Sequence, residues 1–419
     1  MSGWISRLAA DSAGALSWPV WLAAGGLLFV LPGWMLLAAT WPGWKRLHFW
    51  ARLGLSCSAG AAVYPLLLEL AWLAGVQPGP ALAWLPPGLA AAAAVWRGWA
   101  RRSRPGGSAA AWRALWPGRL QPEALNVLVT GIVVAWVIVS RVWAIQGLVF
   151  PLWGDSYQHT MITQLLLDHG GLFASWMPYA ELSTFTYHFG FHSLAAAFAW
   201  FSRLSAVQSV QVTGQIVNLM AVLSLFPLAA RVGGSPWAGT AAVLAAGLVF
   251  KQPMFYTNWG RYPQLTGQVI LPLLLLLIWT LARRGRPAWR PVLLSWICLA
   301  GLALTHYRIL IFLLPFYPLA LLLRRSPSAG LLRRLAHLGL AAVGGGLLFL
   351  PWFLHTSNGQ ILNILDNQLS SSTLPPSSLH EASRGLAIIL DYYPAWLLIG
   401  VGLALAGLAW RRQALALAL

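Results

Sequence analysis

Long apolar runs separated by short polar islands set the plan of this chain. Runs at 18–40, 53–75, 81–97, 124–146, 209–230, 236–250, 264–282, 291–305, 309–323, 337–354 and 393–410 have the length, or nearly the length, of a bilayer-crossing helix. About 20 residues rising ~1.5 Å each match a hydrocarbon core of ~30 Å. The pattern predicts about eleven spans, the third kinked at Pro86-Pro87. A further apolar stretch, Phe189 to Phe201, is only about a dozen residues long, a length more typical of interfacial or re-entrant segments. A helix over 188–205 lying on or dipping into one face is expected there. Before it, Met161, Ile162, Leu165 and Leu166 recur at helical spacing, so 156–168 reads as another short helix.

Composition supports the same class. The 419 residues are 58% hydrophobic and 9% charged, with mean hydropathy +0.68, whereas a soluble domain carries about 25% charged residues. The expectation is an all-α polytopic membrane protein. The net charge of +18 would suit a nucleic-acid binder if the cations formed one face, but they sit in short clusters between apolar runs. Lys45, Arg46 and Arg52 form one cluster; Arg97, Arg101, Arg102, Arg104, Arg113 and Arg119 follow in the next long connection. Then come Arg231, the group at 283–290, the group at 324–334, and Arg411-Arg412. Eleven spans place all of these on one side, the cytoplasm by the positive-inside rule. This expectation describes a multi-pass plasma-membrane protein with its amino terminus outside and carboxyl terminus inside, with lipids and not nucleic acid as partners.

Met1 to Ser17 has no concentrated basic region, so the first run reads as a retained span and not a cleaved signal. Cys57 and Cys298 lie in separate apolar runs, which argues against a disulfide or a thiolate metal site. Many of the 26 tryptophans fall near expected span ends, as an interfacial belt requires.

The same parity gathers the polar islands on the outer side. Asp155, His159, Asp168, His169, Glu181, His188 and His192 fall in a first outer loop, 147–208. Asn258, Arg261 and Tyr262 fall in a second, His306 and Arg308 at a third turn, and Asp366, Glu381, Arg384 and Asp391 in a fourth segment, 355–392. Of nine acids, Glu123 is placed inside and Glu69 within a span, so the working face is the outer one.

Within Trp153-Gly-Asp-Ser-Tyr-Gln-His159, Asp155 and Ser156 are both good helix caps. The alternative is functional: Asp155 and His159, four apart, share a helical face. There a carboxylate can serve as general base or help hold a divalent metal ion. Tyr187-His-Phe-Gly-Phe-His192 repeats the four-residue spacing with His188 and His192. This imidazole set is compatible with a metal, though such histidines among aromatics also occur as plain interfacial residues. Arg261, in Thr257-Asn-Trp-Gly-Arg-Tyr-Pro-Gln264, is an outer arginine that the positive-inside rule does not explain. It either binds a phosphate with its planar guanidinium or snorkels to headgroups, as Lys251 would at the start of the same loop. His306 and Arg308 offer a second phosphate contact or a simple polar turn. Glu69 and Arg141 are charges inside spans with no partner legible in the sequence. Walker and dinucleotide motifs are absent.

A span, an outer loop opening on an acid and a short amphipathic helix, a Tyr/His-bearing helix (Tyr187 to Phe201), an Arg-Val-Gly-Gly turn (Arg231 to Gly234), a span and a polar outer loop follow in order. This arrangement resembles the GT-C superfamily of multi-spanning glycosyltransferases, in particular the bacterial branch similar to dolichyl-phosphate-mannose mannosyltransferases. The likeness covers roughly 124–354. It implies a GT-C-like helical bundle with outer juxtamembrane helices, preceded by a three-span extension at 1–123 and followed by an outer loop and last span at 355–419. It also implies a polyprenyl-phosphate-linked sugar as donor, transfer to an acceptor hydroxyl at the extracytoplasmic face, and Asp155 as the essential acid. Substrate contacts are then expected from Tyr157, His159, His188, His192, Asn258, Arg261, Tyr262, His306 and Arg308. The second position of the family's paired Asp-x-Asp is Tyr157 here, and the second outer loop has no carboxylate. The rival expectations are a transporter or flippase of a lipid-linked or anionic solute, and a non-catalytic partner sharing the fold.

Overall fold

The computed structural model describes residues 17–102, 122–282, 289–323, 330–357 and 393–410, with 387, 390 and 415. Regular structure among them is wholly helical. In chain order the helices are α1 (Ser17–Thr40), α2 (Phe49–Leu73), α3 (Ala81–Arg102), α4 (Pro122–Ile145), α5 (Gly154–His169), α6 (Gly190–Ser202) and α7 (Ala206–Gly233). They continue as α8 (Pro236–Leu244), α9 (Met254–Asn258), α10 (Tyr262–Leu281), α11 (Trp289–Thr305), α12 (Tyr307–Leu313), α13 (Phe316–Leu323), α14 (Leu331–Thr356) and α15 (Ala395–Trp410).

Seven stretches are long and apolar enough to cross a bilayer: Ser17–Thr40, Phe49–Leu73, Glu123–Ile145, Ala206–Gly233, Pro236–Asn258, Tyr262–Leu281 and Leu331–Thr356. Trp289–Thr305 and Tyr307–Leu322 are shorter apolar helices. The chain is therefore an all-α, multi-pass integral membrane protein. All eleven expected runs fall on helices, but α3 and α15 are not among these apolar candidates. α3 contains Pro86, Pro87 and the cations Arg97, Arg101 and Arg102. The expected run 309–323 is two helices flanking Pro315, whose ring and missing N–H interrupt the ladder.

Polar contacts sort the helix ends into two poles. At one pole Gln211, near the start of α7, donates to the Leu148 carbonyl just past α4 (3.2 Å). Phe189 N donates to Leu304 O at the end of α11 (3.1 Å). His355, near the end of α14, lies 3.0 Å from the Phe185 carbonyl, and Gln77, ahead of α3, donates to Leu172 O (3.0 Å). At the other pole Arg97 donates to Ala38 O near the end of α1 (2.9 Å). Arg334, near the start of α14, donates to Ala282 O past α10 (2.9 Å) and to Leu321 O of α13. A cavity of about 340 Å³ at this pole is lined by Trp41, Leu47, Arg231, Thr280 and Pro291. Successive long helices thus run alternately between the poles, and Arg97, Arg231 and Arg334 share one of them. The groups at Arg104–Arg119, Arg283–Arg286, Arg324-Arg325 and Arg411-Arg412 lie outside the described residues, as do Asp366, Glu381, Arg384 and Asp391.

Helices meet closely where glycine removes the side chain. A Cβ on Gly60 of α2 would lie 1.6 Å from the Phe29 carbonyl oxygen of α1, and one on Gly33 would lie 2.1 Å from Ser56 O. α1 contains a π-turn at Gly26–Val30, which displaces the regular ladder. Tyr64 donates its hydroxyl to Leu28 O in that turn (2.9 Å), satisfying a buried carbonyl.

Helix α6 decides between the two placements expected for 188–205, lying on a face or dipping into it. Gly190 through Ala199 are all buried, and α6 packs on α7, α5 and α2. Its Ala- and Phe-rich sequence is apolar apart from His192 and Ser193 near its start and Ser202 at its end, and such a helix buries itself within the protein. Of the two placements expected, dipping into the bundle is the one seen.

Candidate functional site

The site forms at the first pole, where α5, the start of α6, the α9–α10 turn and the α11–α12 turn converge. α5 begins one residue before Asp155. The cap position is Trp153, at φ 70°, and no side chain caps the helix. Asp155 therefore does not act as the cap; it stands in the first turn and pairs with Arg261 (Oδ2 to Nε, 3.2 Å). The pair is 39% and 37% exposed, so it is wet and worth at most about 1 kcal/mol to stability. The Arg261 guanidinium also lies 4.6 Å from the centre of the Trp259 ring, an orientation suited to cation–π attraction.

The turn can approach α5 because residue 260 is glycine. Gly260 has φ +68°, and a Cβ there would stand 2.8 Å from Ser156 Oγ and 3.2 Å from Asp155 Cβ. Gly260→Ala is expected to cost about 1–3 kcal/mol from left-handed strain and contact, and to part Arg261 from Asp155. A lower unfolding midpoint for the detergent-solubilised protein, with weakened Arg261-dependent function, is the outcome to look for.

One turn further along α5, His159 is 4% exposed. Its Nδ1 lies 3.0 Å from Nε2 of His192, so one ring nitrogen donates and the other accepts. The His159 ring also bonds the Gly260 backbone. Asp155 and His159 thus meet neighbouring residues of one turn, as their four-residue spacing requires. His188 is buried with its ring 4.8 Å from that of His306. Gly190 permits this approach: a Cβ on it would come 2.1 Å from Thr305 Oγ1 at the end of α11. Tyr262 lies over Gly214 of α7, hydrogen-bonds Ser156 and stacks on Phe191.

Burial holds these imidazoles neutral. It lowers His159 to about 3, with the charges of Arg261 and His306 adding to the effect, and it pushes His188 well below the ordinary value. Burial and the charges of Arg308 and Arg261 lower His306 to about 4. In the unfolded chain such residues titrate near 6.5. Between about pH 4 and 6.5 the unfolded chain binds more protons than the folded one, so stability falls as pH falls through that window. The slope reaches ~1.4 kcal/mol per pH unit for each histidine kept neutral. Unfolding midpoints recorded from pH 7.5 down to 4.5 should decline, and His159→Gln should flatten the decline.

Nine of the ten expected site residues lie at this pole around these contacts; the arrangement of two of them differs. Tyr157, two residues from Asp155 and so on another face of α5, is 64% exposed and stacks on Phe150. Arg308 is exposed beside His306 and acts on the cluster through its charge. The tenth, Asn258, faces elsewhere, into a separate cavity of about 390 Å³ with Ser140, Arg141 and Lys251. Two residues outside the expected set join the cluster. Tyr187 stacks on His188 (3.8 Å between ring centres), and Tyr307 packs edge-on to it. Both adjoin a histidine in sequence, which was the available signal. Among the described residues, no group of three or more His, Cys, Asp or Glu stands close enough to hold a metal ion. His159 and His192 are paired with each other, and His188 is stacked on Tyr187.

Comparison with family models, curated proteins and solved structures finds no match for this chain. Its chemistry therefore has to be read from the site.

Proposed function

We propose that the protein is a membrane glycosyltransferase of GT-C-like organisation, moving a sugar from a polyprenyl-phosphate-linked donor to an acceptor hydroxyl. In this reading the chain crosses the plasma membrane eleven times and the Asp155 pole faces outward. The observation that carries it is the Asp155–Arg261 pair, which joins an acid of the first outer loop to an arginine of the second at a solvent-accessible rim. In the resting protein each occupies the other. On donor binding, Arg261 exchanges the carboxylate for the lipid phosphate, a bidentate partner that suits guanidinium. Asp155 is then free to take the proton of the acceptor hydroxyl. The hydroxyl oxygen attacks the anomeric carbon, the bond from that carbon to the phosphate oxygen breaks, and the lipid phosphate leaves with the electron pair. Arg261 and Arg308 offset its charge, while Tyr187 and Trp259 offer ring faces to the sugar.

The transporter alternative needs charge near the middle of the bilayer. Glu69 and Arg141 are each four residues from the end of their helix at this same pole, about 6 Å along the axis. Both are tied to local groups: Glu69 accepts from Trp352 N (3.3 Å), and Arg141 donates to Asn218 Oδ1 (2.7 Å). Their placement favours a one-faced site.

Arg261→Gln tests the phosphate role. It is expected to lower kcat/KM for the donor at least tenfold and leave the acceptor KM unchanged. Undiminished donor use would overturn the assignment.

A further inference from the structure

At the pole opposite Asp155 four cations gather around one cavity. A cavity of about 1020 Å³ opens between the end of α1, the 41–48 connection, the start of α2 and the end of α3. Among the described residues Lys45, Arg46, Arg52 and Arg97 line it with no carboxylate beside them, and Trp34 and Trp44 form its wall. Gly54 of α2 meets Leu223 of α7, whereas Gly214 of α7 lies under Tyr262. The nine-residue step from Gly214 to Leu223 sets this cavity at least about 14 Å from the Asp155 site along the bundle.

The four cations are held in different ways. Arg97 is fixed by donating to Ala38 O (2.9 Å), and Arg52 is held over Trp34 at 5.2 Å. Among the described residues the buried Arg52 Nε has no hydrogen-bond partner, although a buried donor ordinarily has one. Lys45 and Arg46 are exposed at the mouth. Trp34 and Trp44 pack edge-to-face at 5.1 Å, and tryptophan favours the headgroup level of a membrane. Clustered cations would repel one another across an empty cavity, and an anion removes that cost. The cavity stands at span ends, where phospholipid phosphates lie.

We propose that this cavity binds the phosphate headgroup of an anionic membrane phospholipid. Arg52 and Arg97 grip the phosphate from fixed positions, Lys45 and Arg46 close over it as point charges, and the glycerol backbone rests against Trp34 and Trp44. Charge complementarity selects the occupant, since basic pockets between membrane helices suit anionic headgroups. The site lies apart from the Asp155 pole and stands whether or not sugar transfer is the activity there.

The test uses the full-length protein in nanodiscs of phosphatidylcholine mixed with phosphatidylglycerol, with bound lipid counted by native mass spectrometry after release. The wild-type protein should retain phosphatidylglycerol selectively. Lys45→Gln with Arg46→Gln, both exposed and so compatible with folding, should lower that retention about tenfold or more. Arg290→Gln, an exposed cation at the same pole outside the cavity, should change it little. Glycerol phosphate should fail to displace the lipid. Equal retention by wild type and the double variant would overturn the site, as would an equal effect of Arg290→Gln, which would indicate diffuse surface charge. Displacement by glycerol phosphate would show a soluble-phosphate site and overturn the lipid assignment.

Discussion

Asp155→Asn is expected to lower sugar transfer at least 100-fold, the lower end of what a general base contributes, while the protein inserts and folds normally. Asn keeps the size and one acceptor oxygen but cannot take the acceptor's proton. The wild-type ion pair is more than a third exposed, so its loss costs little stability, and a folded but inactive variant is the diagnostic result. Asp155→Glu separates charge from position: it keeps the base but moves the carboxylate along a longer stem, and should retain partial activity. A folded Asp155→Asn that transfers sugar at the wild-type rate would remove Asp155 from the mechanism.

Gly60→Leu is expected to have the largest effect on stability. Ordinary Cβ contacts begin near 3.4 Å, whereas a Cβ here would stand 1.6 Å from the Phe29 carbonyl oxygen, so the backbones of α1 and α2 must separate by more than an ångström. Gly33 meets Ser56 O in the same crossing, and the separation would therefore open contacts along both helices. In membranes close packing of this kind, not a hydrophobic drive, holds helices together. Overpacking costs of about 3 kcal/mol would lower the unfolding midpoint by at least about 5 °C. Gly339→Ala, on an exposed stretch of α14 with open space around it, should be neutral or slightly stabilising. An unchanged midpoint for Gly60→Leu would mean that the α1–α2 crossing does not hold the bundle.

The helices were legible because a bilayer forces apolar runs of fixed length, and every expected run falls on a helix. A run too short to span leaves more than one placement open. The 188–205 segment could not be assigned between lying on the face and dipping in, and its burial follows from contacts with α2, α5 and α7 that no local pattern encodes. The meeting of Asp155 and Arg261 was foreshadowed by charge parity, which put both on one side of the membrane. Their pairing depends on Gly260, whose left-handed turn is a tertiary requirement. Asn258 illustrates the limit from the other side. Three residues from Arg261 in sequence, it turns into the Arg141 cavity because the short helix α9 rotates it away. The cation-lined cavity at the opposite pole was hidden for a different reason. Its cations were already explained by the positive-inside rule, and only the fold shows four of them around one cavity.

The central claim is that the Asp155 pole breaks the bond between a sugar and a lipid phosphate. The most direct measurement is to supply the nanodisc-embedded protein with polyprenyl-phosphate-linked sugars and acceptors, and to quantify free polyprenyl phosphate and glycosylated product. The account predicts that the two accumulate one for one with a matching donor, and that neither forms with Asp155→Asn. Intact donor recovered across the panel, accompanied in proteoliposomes by its protein-dependent passage from one leaflet to the other, would contradict it and establish a transporter.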